Sequence, residues 1–126
     1  MEKNKHGIEK WYSQPNDETL IAYKFFITTS GGLLLPFAKK KCGYMPVGVE
    51  LTAPDVLAPD ATRNGWPRGW YTYATLGAAR QAANDYAADG RQVEVREVRL
   101  RGLEVEGYEA GLPVVTGIRM TVLQEA

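Results

Sequence analysis

The stretch from Gly69 to Arg101, GWYTYATLGAARQAANDYAADGRQVEVREVRLR, decides the fold. Its first part, Trp70 to Ala74, is a short run of aromatic and β-branched residues and predicts a strand. Thr75 is placed to cap a helix from Leu76 to about Asp89, and Gly90 to close it in the left-handed conformation. Within that helix Leu76, Ala79, Ala83, Tyr86 and Ala87 recur at spacings of three and four, while Arg80, Asn84 and Asp85 fall on the other side. Arg91 to Arg101 then alternates again. Val93 and Val95 are out of phase with Val98 and Leu100, which asks for a bulge near Arg96 or Glu97. A strand, a capped helix with an alanine stripe and a second strand predict a helix lying on a sheet.

Outward from this centre the rest of the chain reads as strands. Thr19 to Thr29 places Ile21, Tyr23, Phe25 and Ile27 on one face and Leu20, Ala22, Lys24 and Phe26 on the other, as a central strand would. Ser30, Gly31 and Gly32 supply a turn, and Leu33 to Phe37 a short return strand limited by Pro36. Tyr44 to Thr52 alternates with Met45, Val47, Val49 and Leu51 on one face. Leu103 to Glu106 extends the strand before it or starts another, Tyr108 to Pro113 forms a turn, and Val114 to about Leu123 is a closing strand. We expect an α+β fold with a mixed or mainly antiparallel twisted sheet and one main helix packed on it. Residues 1–17 are expected to form an N-terminal arm, and residues 18–126 a single globular domain.

Length and composition agree with one core: 126 residues, 44% hydrophobic and 24% charged. Fifteen basic and fifteen acidic side chains cancel, which disfavours non-specific capture of nucleic acid. Residues 1–48 nevertheless hold seven lysines against four acids. Cys42 is the only cysteine, and the N-terminus carries no apolar signal segment, so a reducing, cytoplasmic location is expected. His6 is the only histidine. Nucleophile systems built on histidine and histidine-rich metal sites therefore lack their parts. No phosphate-binding loop or dinucleotide fingerprint occurs.

Residues 53–69 contain Pro54, Pro59, Gly65, Pro67 and Gly69, a connection longer than the usual four to six or so residues. Long loops of this kind often carry function. Arg63, Trp66, Arg68, Trp70, Tyr71 and Tyr73 fall in this loop and the strand after it. Aromatic faces beside guanidinium groups stack on bases, at about 1 to 3 kcal/mol each, and the same residue types dominate protein-interface hot spots. Alternate aromatics of a strand are equally readable as core, while Trp66, in the loop, reads as surface. Lys39 to Lys41 beside Cys42 lower a thiol pKa in principle, but a lysine run in a loop is ordinarily a solvated face. Glu94, Glu97, Glu104 and Glu106, interleaved with Arg91, Arg96, Arg99 and Arg101, are expected to form cross-strand salt bridges on an exposed face.

The run Gly69 to Thr75, the helix containing Ala79 and Tyr86, and the strand Gln92 to Leu100 together resemble the centre of the ADP-ribosyltransferase fold. The resemblance spans about 30 residues. It implies NAD as cofactor, with Tyr71 or Tyr73 stacking on nicotinamide and Glu125, at the end of the last strand, in the position of the catalytic acid. Lys24 is the basic residue nearest the family's first motif. Three readings follow. The first is a small non-enzymatic binding or regulatory protein, an inhibitor of the kind carried by phages and other mobile elements, which contacts a protein partner through Arg63, Trp66, Arg68, Trp70 and Tyr71. It needs no cofactor or metal. The second is an enzyme like the ADP-ribosyltransferases, and the third a nucleotide or single-stranded nucleic-acid binder using the lysine run.

Overall fold

A computed structural model describes residues 8–11, 18–36, 43–53 and 69–126. Among these, eight strands and one α-helix follow one another: β1 (Ile8–Trp11), β2 (Thr19–Thr29), β3 (Gly32–Leu34), β4 (Tyr44–Met45), β5 (Glu50–Thr52), β6 (Trp70–Tyr73), α1 (Leu76–Tyr86), β7 (Val93–Glu109) and β8 (Leu112–Glu125). The fold is α+β, a large antiparallel sheet with one helix, as the residue patterns predict. No helix among the described residues is long and apolar enough to cross a membrane.

The start of α1 is set by side-chain chemistry. Thr75 has extended backbone, and its hydroxyl accepts a hydrogen bond from the Ala78 amide at 3.1 Å. The α-helix stops at Tyr86, three residues before the expected end. A 3₁₀ turn over Ala87–Asp89 completes the rod before Gly90 turns left-handed. Ala78, Ala79 and Ala83 are buried, so small side chains let the helix approach the sheet closely.

The strand pairings close on themselves. β2 bonds to β7 along one edge and to β6 and β3 along the other, while β8 bonds to β7 on one side and to β6 and β5 on the other. The strands β2, β7, β8 and β6 therefore form a ring. Alternate side chains of each strand fill its interior, among them Ala22, Phe26, Trp70, Leu100, Met120 and Val122. Burying such side chains is the main favourable term in folding, at roughly 25 cal/mol per Å² of apolar surface. A second, smaller core lies outside the ring under α1, where Phe25 meets Tyr86 and Tyr73 at ring-centroid distances of 5.3 and 6.4 Å.

Two cores explain the phase change in β7. Val93 and Val95 sit opposite Ile27 and Phe25, on the helix side, whereas Val98 and Leu100 sit opposite Ala22 and Leu20 and face the ring interior. No bulge is needed on β7 for this, and its register with β2 is unbroken from Val93 to Arg101. The irregularity near Arg96 lies in the pairing with β8, where two steps along β7, Arg96 to Val98, match three along β8, Glu125 to Val122. A second change of phase occurs at Gly102, whose φ of 74° lets both Leu100 and Leu103 face inward.

The stretch Tyr44 to Thr52 departs from the expected single strand. It forms two short strands on different partners, β4 on β3 and β5 on β8. Pro46 and Gly48, with φ 82°, interrupt it, and only Met45 of the expected face is buried, while Val47 and Val49 are about half exposed.

Candidate functional site

The β6 strand divides its aromatics between the two sides of the sheet. Gly69 holds φ +108°, and a Cβ there would sit 2.6 Å from the carbonyl oxygen of Gly117, so only glycine lets the chain enter β6 against β8. Trp70 and Thr72 then point inward. The Trp70 indole N–H donates to the Leu51 carbonyl at 3.0 Å, and the Thr72 hydroxyl to the Val115 carbonyl at 2.8 Å. Trp70, expected among the contact residues, is thus a buried packing residue.

Tyr71 and Tyr73 point outward, edge to face at 5.6 Å. The Tyr71 hydroxyl donates to Glu109 Oε1 at 2.6 Å, and the Lys24 ammonium donates to the Tyr71 carbonyl at 2.6 Å, where β2 and β6 splay apart beyond their one pairing at Tyr23 and Tyr73. Burial, followed by the hydrogen bond to Glu109, raises the Tyr71 pKa far above the ordinary phenol value. Burial also raises that of Tyr73. Both phenols are therefore protonated at neutral pH. They can donate hydrogen bonds or stack, and they are poorly suited to act as bases.

Glu125 is not brought to this pair. Tyr71 sits opposite Thr116 of β8, and Glu125 lies nine residues further along that strand, exposed and opposite Arg96, roughly 30 Å away by strand rise. Arg63, Trp66 and Arg68 lie outside the described residues, as do Lys39 to Lys41 and Cys42. Among the described residues no three His, Cys, Asp or Glu side chains gather as a metal site requires.

Two of the ion pairs expected from the Glu94 to Glu106 segment take different forms, one along a strand and one across strands. Arg96 pairs with Glu94, two residues away on its own strand, at 3.1 Å, and its other arm donates to the Leu123 carbonyl at 2.9 Å. Arg101 reaches past β8 to Glu50 of β5, with two bonds of 3.1 and 2.6 Å.

That second pair lies on a face that the residue patterns do not reveal. The registers align two neighbouring rows across four strands. One runs Glu50, Thr121, Arg99, Ile21, and the next Thr52, Arg119, Arg101, Thr19. All eight side chains share the outer side of the sheet, because the row between them, Leu51, Met120, Leu100 and Leu20, points into the core. Ile21 and Arg99 are exposed, Arg101 and Arg119 half-buried. Arg101, through its hydrogen bonds, followed by the more distant charges of Arg119 and Arg99, holds the Glu50 carboxyl below its ordinary pKa. Among the described residues no hydrogen bond or ion pair engages Arg99 or Arg119. The signal in the sequence is alternation of Arg99 and Arg101, but Arg119, Glu50 and Ile21 join them only through long-range register.

No family model matches the chain, and no curated protein or solved structure matches it.

Proposed function

We propose that this chain is a small non-enzymatic binding or regulatory protein that works by protein–protein contact, as inhibitors carried by phages and other mobile elements do. The observation that carries this reading is the outer face of β5, β8, β7 and β2. It presents three arginines and a half-exposed isoleucine on a rigid sheet, supported from behind by fully buried Leu100 and Met120. Arginine and apolar side chains on a preformed surface are what protein recognition uses. The distance of Glu125 from the Tyr71–Tyr73 pair supports the same reading, since group transfer needs its charged groups within contact of one reacting centre. Arg63, Trp66 and Arg68 remain candidate contacts from the sequence.

Melting the purified protein with and without millimolar NAD, and assaying transfer of labelled ADP-ribose to lysate proteins, tests the reading. A cofactor at about one hundred times its Kd stabilises the fold by about 2.7 kcal/mol. The expected result is no shift and no labelled product, with a stoichiometric protein complex recovered instead. A clear upward shift with labelled product would replace the reading by an NAD-using enzyme.

A further inference from the structure

The outer rows already hold one carboxylate. Arg101 grips Glu50 through two hydrogen bonds, of 3.1 and 2.6 Å, the paired geometry in which a guanidinium binds a carboxylate most strongly. Arg119 is directly opposite Arg101 on the neighbouring strand, and Arg99 is two residues along β7 on the same side. Like charges directly opposite one another destabilise a sheet, so three guanidinium groups around a single carboxylate leave an excess of positive charge on this face. Between them, Thr121 is 2% exposed, and its hydroxyl has no hydrogen-bond partner. Its row neighbours are Glu50 and Arg99, so the hydroxyl lies in the middle of the cationic group. Half-exposed Ile21 ends that row on one side.

From this juxtaposition we infer that the outer face of β5, β8, β7 and β2 is a docking surface for an extended, acidic segment of a partner protein. The inference rests on the binding-protein reading. Alternate residues of an extended segment are roughly 7 Å apart, which is also the spacing of Arg99 and Arg101, so carboxylates at every second position meet successive arginines. The intervening side chains of such a segment point away from the sheet, so recognition on this face rests on the carboxylates. A nucleic-acid backbone fits less well, because it follows a long unbroken basic stripe. Here Glu97, two residues before Arg99, accepts a 2.5 Å hydrogen bond from Gln124 and ends the basic patch, and the whole chain has no net charge.

The test is a nuclear magnetic resonance titration of the isotope-labelled full chain with a peptide of about eight residues alternating glutamate and valine. A lysine–valine peptide and a short single-stranded DNA serve as comparisons. The expected result is chemical-shift change centred on Ile21, Arg99, Arg101 and Thr121. Affinity should weaken as salt rises and fall at least about tenfold in Arg99→Glu/Arg119→Glu, with Arg99→Gln/Arg119→Gln in between. The inference is overturned if the peptide leaves these residues unshifted, if charge reversal leaves affinity unchanged, or if the DNA binds more tightly than the peptide. A partner complex that survives charge reversal would remove this surface and leave the binding-protein reading standing, whereas labelled transfer from NAD would remove that reading itself.

Discussion

Two adjacent rows of the sheet, one residue apart in every strand, have opposite chemistry. The inner row, Leu51, Met120, Leu100 and Leu20, is apolar, and Leu100 and Met120 are fully buried. The outer row, Glu50, Thr121, Arg99 and Ile21, carries charges of both signs, an unpartnered hydroxyl and an exposed isoleucine. Because side chains alternate with a period of two, the same backbone register that seals the core also assembles the outer face. The difference separates two roles: substitutions in the inner row should cost stability, and substitutions in the outer row should cost recognition.

The largest effect that sharpens this contrast is in the inner row. Leu100→Ala removes a fully buried side chain from the ring interior. It is expected to lower unfolding free energy by about 3 kcal/mol in urea denaturation, and a loss below about 1 kcal/mol would mean the ring interior is poorly packed there. A smaller effect comes from the tyrosines of β6. Burial raises the pKa values of Tyr71 and Tyr73 in the folded state, so the native protein keeps protons that the unfolded chain releases. Their stabilisation is fully present below about pH 10, the unfolded phenol value, and declines above it by at most about 1.4 kcal/mol per pH unit for each retained proton. Tyr71→Phe should flatten that alkaline decline in melts taken at stepped pH, and an unchanged slope would place the titration elsewhere. Smallest is the turn that joins β7 to β8. Ala110 and Gly111 both have positive φ, at 52° and 81°, between the paired Glu109 and Leu112. Asparagine tolerates this conformation better than alanine, so Ala110→Asn is expected to stabilise by about 1 kcal/mol and raise the melting temperature.

Where local chemistry determines structure, the residue patterns were informative. The bounds of β2, the Thr75 cap, the Gly90 stop and the α+β class all follow from neighbours in sequence. The segment from Tyr44 to Thr52 alternates like one strand, but its two halves pair with different strands, which no local pattern reveals. Trp70 is ambiguous in the sequence because an aromatic strand looks alike from either face, and only the register with Gly117 turns it inward. Of the outer face, only the alternation of Arg99 and Arg101 is legible in the sequence. Ile21 meets Arg99, and Glu50 meets Arg101, across long stretches of chain, and no local pattern encodes such a pairing.

The contrast between the rows is tested most directly on one variant, Arg99→Glu/Arg119→Glu, by measuring its urea midpoint and its affinity for the alternating glutamate–valine peptide in the same buffer. The account predicts a stability within about 0.5 kcal/mol of the unaltered protein together with at least about a tenfold loss of affinity. Affinity retained, or stability and affinity lost together, would contradict it.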